Sequence, residues 1–322
     1  MRKAIGGFFE LELGRKRNDL LAGKLLFNTC SNALRFLLKE LGVRTVWIPD
    51  YTCPSVVYAL KRDNLRFRFY SINRSLELES LPFEKSDTII LNNYFGLKSA
   101  YIDRVVKVLP DLNVIIDCAQ AFYYKTDSNS YCIYSARKFF GVPDGGLLSG
   151  LKGSVATFPA GSVLGNFFHL VGRLEAGPED FYDEFLKCEG SLLKADIAGM
   201  SVVTQRILNS VDFDDVAGVR RRNFMRLHES LGPINFLEGF DILESDAPLC
   251  YPFWTHDKQV RTRLQRNRVY VPSYWGGIEG WAPRSAIAVQ IADDFVFSYK
   301  CPGLNLSIFS SSPDFFIAEY NP

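Results

Sequence analysis

Between residues 44 and 118, short runs rich in β-branched and aromatic side chains alternate with amphipathic stretches, and that alternation limits the possible folds more than any other feature of the chain. Residues 44–50, 65–70 and 88–91 read as strands, residues 55–62 as a helix, and the wholly apolar run 114–116 as a strand buried on both faces. Alternating strands and helices predict right-handed βαβ units, a mostly parallel α/β sheet covered on both faces, and ligand sites beyond the carboxyl ends of its strands. Ahead of them, Leu34, Leu37, Leu38 and Leu41 recur at helical spacing behind the polar residues 28–32, which predicts a helix starting near Ser31 or Asn32. At 322 residues the chain exceeds the size at which one hydrophobic core usually stops growing, so two domains are expected.

The residues that carry chemistry fall at the ends of these elements. Residues 131–146 place Lys138 between an apolar strand-like run and a turn rich in glycine and proline. A lysine held among apolar neighbours has its ammonium form disfavoured by desolvation, and the neutral amine condenses with an aldehyde to an imine, which makes Lys138 a candidate anchor for pyridoxal phosphate. A lone lysine lying over Phe139 and Phe140 with its charge in water is the plainer reading, so the case rests on its companions. Asp117 directly follows the buried run 114–116. A carboxylate opposite a pyridine nitrogen keeps that nitrogen protonated, and the protonated ring is an electron sink. Thr29, Cys30 and Ser31 stand where a helix begins, and its free amides and positive dipole end make either a phosphate cradle or a plain cap. Residues 92–96 and 117–120 fall at the same sheet edge.

Thr29-Cys-Ser-Asn-Ala-Leu34, Ile48-Pro-Asp-Tyr-Thr52, Asp117-Cys-Ala-Gln120 and Ser135-Ala-Arg-Lys138, with Asp144-Gly-Gly146 after the lysine, form a set that resembles the DegT/DnrJ/StrS family of sugar aminotransferases. These are fold-type I enzymes dependent on pyridoxal 5'-phosphate. The resemblance implies that Lys138 holds the cofactor and moves the proton between substrate and cofactor carbons, and that Asp117 contacts the ring nitrogen. Gln120 then contacts the ring or its hydroxyl, and Ser135 holds the phosphate together with Thr29, Cys30 and Ser31. It further implies a large cofactor-binding domain over residues 1–200 and, over residues 201–322, a linking helix with a small α+β domain. Residues 200–231 resemble the helical connection, and residues 251–254 and 269–277 the sheet segments. The implied substrates are an amino acid donor such as glutamate and a keto sugar linked to a nucleotide, in amino-sugar or surface-polysaccharide biosynthesis, with the enzyme a homodimer.

The chain departs from the family pattern in places. Cys30 stands where glycine is usual, and Cys53 where an aromatic residue usually stacks on the cofactor, so either Tyr94 or Tyr51 takes over the stacking or the stacking is weaker. About 27 residues precede the phosphate motif, so part of the customary N-terminal helical region is expected to be missing. Two other readings compete: a sugar dehydration on the same fold, for which family members carry histidine in the lysine's place, and a non-catalytic binding or regulatory protein.

A net charge of +1 gives no pull towards nucleic acid or anionic membrane, so small molecules are the expected partners. Seven cysteines without a Cys-x-x-Cys pair or zinc-type Cys/His spacing point to reduced thiols and the cytoplasm. Glu10 and Glu12 interrupt the first apolar run too early for a signal peptide. Residues 154–172 lack formal charge over the length of a membrane span, but Pro159, Gly161 and Gly165 break the run, so buried strand and loop is expected there. No Walker loop, Gly-x-Ser-x-Gly or His-Glu-x-x-His supports a nucleotidase, hydrolase or metalloprotease, and His169, His228 and His256 have no catalytic spacing. Arg220, Arg221 and Arg222 read as a solvated helix face, and Arg261, Arg263, Arg266 and Arg268 as flanking a strand start; either group is an alternative partner for a substrate diphosphate. Tyr274, Trp275 and Trp281 offer flat surfaces for a sugar or base.

Overall fold

The computed structural model describes residues 11–14, 20–80, 82–109, 111–127, 129–152, 158–161, 163–237, 239–240, 242–255, 257 and 259–272, and the backbone of 273–274 and 286–290. Strand β1 (Leu25–Phe27) leads into helix α1 (Cys30–Glu40), followed by β2 (Thr45–Pro49), α2 (Pro54–Arg62), β3 (Arg66–Tyr70), β4 (Thr88–Asn92), α3 (Ser99–Lys107), β5 (Asn113–Cys118), β6 (Tyr131–Ser135) and β7 (Gly146–Ser149). These strands make one sheet in the order β1-β7-β6-β5-β4-β2-β3. From β6 to β3 every pairing is parallel, and β7 is antiparallel to both β6 and β1. The mostly parallel sheet predicted by the alternation is present. Helix α1 starts slightly ahead of expectation because Thr29 caps it, its Oγ1 accepting from the Asn32 amide at 3.0 Å.

Chain α4 (Phe168–Ala176), α5 (Tyr182–Lys194), α6 (Val202–Ser210), α7 (Phe213–Leu231), β8 (Cys250–Trp254), α8 (Val260–Arg266), β9 (Ser273–Tyr274) and β10 (Ala286–Gln290) follow in order. The last three strands form a second, antiparallel sheet in the order β8-β10-β9.

Period-two patterning builds the two core layers. Val46, Ile48, Ile90, Ile115, Ile133 and Leu148 pack with Leu34, Leu37 and Leu38 of α1 and with Val56 and Leu60 of α2. Their sequence neighbours Ile89, Leu91, Val114, Ile116 and Leu147 belong to the opposite layer, with Ile102 and Val105 of α3 and Phe224, Leu227 and Leu231 of α7. Each fully buried aliphatic side chain stabilises the fold by roughly 1.5–3 kcal/mol, so a one-residue slip of a central strand would exchange both layers at once.

Three expectations are corrected. The uncharged run 154–172 ends in helix rather than in buried strand and loop: α4 begins at Phe168, with Leu164 and Phe168 exposed. Gly172 permits this by letting α4 close on Phe181, whose ring would lie 2.1 Å from a Cβ at that position. The connection after Met200 is two helices, because Asp212 caps α7 by accepting from the Asp215 amide at 3.1 Å. Arg220 does not lie on a solvated face. It is 1% exposed, donates to the carbonyls of Phe139 at 3.0 Å and Leu249 at 3.2 Å, and lies 4.8 Å from the Phe139 ring centroid. Trp275, Trp281 and His256 lie outside the described residues. No described helix is long and apolar enough to cross a membrane.

Candidate active site

The carboxyl ends of β4, β5 and β6 and the amino ends of α1 and α2 surround a cavity of about 190 Å³, with α5 on its remaining side. Of the residues predicted from sequence, Thr29, Cys30, Ser31, Asp117, Gln120, Ser135 and Lys138 all line it, and Tyr94 does not.

At the α1 end, the Thr29 hydroxyl caps Asn32, while the amides of Cys30 and Ser31 come first in the helix and have no intrahelical acceptor. Free amides at the positive end of a helix dipole are able to hold an anion. Burial, reinforced by the nearby Asp117, pushes the Cys30 thiol well above its ordinary pKa, so it stands there neutral and does not repel an anion. The cradle is closed from behind by Gly146, where a Cβ would lie 2.2 Å from the Thr29 carbonyl and 2.5 Å from the Cys30 nitrogen. Only glycine admits β7 so close to the start of α1. Gly146→Ala should therefore lower stability by about 1–3 kcal/mol through overpacking and weaken anion binding at residues 29–31. Urea unfolding and phosphate titration of the variant check this, and an unchanged midpoint would show that the backbone yields freely.

The two residues before Gly146 tie the site together. Asp144, fully buried, accepts from the Ser201 amide at 2.9 Å, from its hydroxyl at 2.7 Å and from the Thr204 hydroxyl, which fixes the start of α6. The Gly145 amide donates to Asn28 at 2.7 Å and its carbonyl accepts from Ala136 at 3.0 Å, which joins the lysine turn to the approach to α1.

Asp117 is the penultimate residue of β5 and is buried, with its Oδ1 accepting from the Ala119 amide at 2.9 Å. Burial pushes its pKa up to about 6, against the opposing pull of the Ala119 N–H and of Lys138. Lys138 occupies a single 3-10 turn, Ala136–Lys138, directly after β6. Contrary to the sequence reading of a lysine held among apolar neighbours, it is exposed, at the cavity side of that turn. Gln120 Oε1 accepts from the Phe95 amide at 2.9 Å, which leaves its buried Nε2 as a donor with no partner among the described residues. Phe95 itself is held at φ 58°, a left-handed conformation unusual for a bulky residue, between that bond and one from the Leu249 amide to its carbonyl at 2.9 Å.

Tyr94 is 2% exposed; its hydroxyl donates to the Tyr51 carbonyl at 2.6 Å and its ring stacks on Tyr51 at 5.7 Å. Neither tyrosine lines the cavity, whereas Cys53, the N-cap of α2, does. Sequence reasoning missed Arg137 and, from α5, Glu189, Leu192 and Leu193, which close the cavity. Arg137 was hidden beside the lysine, and nothing in the pattern of α5 ties it to residues some fifty positions earlier. The arginines considered for a diphosphate are absent from the lining. Arg221 donates to the Glu244 carbonyl, Arg263 pairs with Asp257 at 2.6 Å, and Arg268 pairs with Glu179 at 2.9 Å.

The mostly parallel sheet belongs to an α/β fold shared with solved aminotransferase structures. Solved structures that match it include a DegT/DnrJ/EryC1/StrS aminotransferase from Brucella abortus, at 13% identity and TM-score 0.54 over 85% of this chain and 82% of that one. The aminotransferase TlmJ from Streptoalloteichus hindustanus matches at 13% identity and TM-score 0.56 over 87% and 84%. NtdA from Bacillus subtilis, solved with bound pyridoxamine phosphate, matches at 13% and 0.55 over 83% and 68%. No family model matches the sequence, and no curated protein matches it.

Proposed function

We propose that the protein is a pyridoxal-phosphate-dependent aminotransferase that moves an amino group from an amino acid, glutamate in the first instance, to a keto sugar linked to a nucleotide. The observation that carries this reading is the convergence of Lys138, Asp117 and the start of α1 on one cavity. The residues present fit the cofactor: a cradle that a Cβ at Gly146 would fill, a buried carboxylate, and Gln120 Nε2, which has no partner among the described residues. When bound, the cofactor supplies a protonated ring that takes up electrons from the substrate C–H bond. The amides of Cys30 and Ser31, with the hydroxyls of Thr29, Ser31 and Ser135, would hold its phosphate. Asp117 would supply the negative charge that keeps the ring protonated, and Gln120 Nε2 would supply a hydrogen-bond donor to the ring. Lys138 would anchor the group through Nζ and would serve as the base that moves the substrate proton.

The sugar substrate is supported by the sugar aminotransferases among the structures sharing the fold, which include CalS13 from Micromonospora echinospora. We extend the proposal to a large domain over residues 1–200 with a smaller one over 201–322, a homodimer, and a place in the cytoplasm in surface-polysaccharide or amino-sugar biosynthesis. Borohydride reduction after incubation with pyridoxal phosphate, followed by peptide mapping, should place the label on Lys138. Label on another lysine, or none, removes the assignment. Protein loaded with the amino form of the cofactor should then turn over keto sugar nucleotides faster than pyruvate or oxaloacetate; equal rates would leave the transaminase chemistry and discard the sugar.

A further inference from the structure

The described cavity lining carries two cations, Arg137 and Lys138. With Lys138 given to the cofactor, one guanidinium is left for an anionic substrate. In the structure Arg137 Nη2 donates to the Glu189 carboxylate, which α5 brings to the cavity, and lies 3.9 Å from Cys188 Sγ. Its Nε is buried and has no partner among the described residues. The fork of Arg137 is therefore only partly engaged, although a planar guanidinium binds a carboxylate best through two parallel N–H donors.

We infer that Arg137 is the receptor for the α-carboxylate of the amino acid donor, and that Glu189 occupies it until the donor arrives. The inference rests on the aminotransferase reading above. A donor's carboxylate is one carbon away from the amine that must reach the Lys138 position, so its receptor has to lie close to Lys138, and Arg137 is its chain neighbour on the same cavity. Glu189 is well suited to give way. Its side chain is 46% exposed against 17% for Arg137, and half-exposed ion pairs are worth about 0–1 kcal/mol. The incoming carboxylate gains Nε as a further donor. A diphosphate fits less well, since a single guanidinium already facing Glu189 and near Asp144 leaves most of its charge unpaired.

Glutarate tests the assignment, because it offers carboxylates without an amine and cannot react with the cofactor. Calorimetric titration of the full chain, cofactor-free and loaded, should show binding that Arg137→Gln weakens by about tenfold or more and Glu189→Gln tightens several-fold. Lys187→Gln, an equal change of charge at an exposed side chain of the same helix, should leave it unchanged. Glutarate binding that is absent, or insensitive to Arg137→Gln, overturns the inference, as does weaker binding in Glu189→Gln. An Arg137-dependent preference for inorganic diphosphate over glutarate also overturns it and assigns the residue to a phosphate. Labelling of Lys138 is read separately, so loss of the label with Arg137-dependent glutarate binding intact would sink the aminotransferase reading, and the donor with it, while leaving Arg137 a carboxylate receptor.

Discussion

Asparagine in place of Asp117 should stabilise the cofactor-free protein at neutral pH and disable the loaded enzyme. The first effect follows from burial, which pushes the Asp117 pKa up to about 6. Its folded pKa then exceeds its unfolded one, so between about pH 4 and 6 the native state binds more protons than the unfolded chain and stability falls as pH rises. Above that window the ionised carboxylate destabilises the empty fold by up to roughly 3 kcal/mol, and below it by nothing. Asparagine does not titrate, so its advantage in urea unfolding should be larger near neutral pH than near pH 4; equal differences at both would remove the argument. In the loaded enzyme proposed above the sign reverses. A charge pair of about 4 kcal/mol, the size expected at an effective dielectric near 20, is lost from the transition state, and the rate falls by about 10³. Near-normal single-turnover rates in the variant would take Asp117 out of the mechanism.

The opposition of those effects bears on what the sequence discloses. Strand β5 was legible because a strand covered on both faces must be apolar throughout, and an acidic residue ending such a run marks a sheet edge. Thr29 was legible as a cap, and Gly146 as part of a motif whose reason, close approach to residues 29–30, only the fold supplies. Lys138 was placed in the right turn, yet its exposure was misread, since flanking Phe139 and Phe140 turn their rings into the core and leave the lysine outside it. The wall made by α5 was invisible, because an amphipathic helix announces one apolar face and not which surface it covers. Tyr94 looked available for stacking because an aromatic at a strand end is equally a core residue, and here its hydroxyl is committed to Tyr51.

Arg220 gives the largest expected loss of stability, and for the same reason it was the hardest residue to read. Within Arg220-Arg-Arg-Asn223 nothing in composition separates the first arginine from its neighbours, yet helix phase turns it inward, where it bridges the carbonyls of Phe139 and Leu249. Hydrogen bonds to a charged donor contribute about 1.5–3 kcal/mol each, and their loss also leaves two carbonyls desolvated. Arg220→Leu should therefore cost about 3–5 kcal/mol in urea unfolding, with Arg220→Lys in between, because an ammonium cannot span both acceptors as the planar fork does. The loss should not be uniform. Phe139 follows Lys138 directly, and the amides of Phe139 and Phe140 both donate to Ala136, so freeing the Phe139 carbonyl loosens the turn that carries the lysine. Hydrogen exchange at Phe139 and Phe140 should accelerate more than at Ile90 and Ile115 in the opposite layer. A loss under about 1 kcal/mol, or equal acceleration everywhere, would reduce Arg220 to ordinary packing and uncouple it from Lys138.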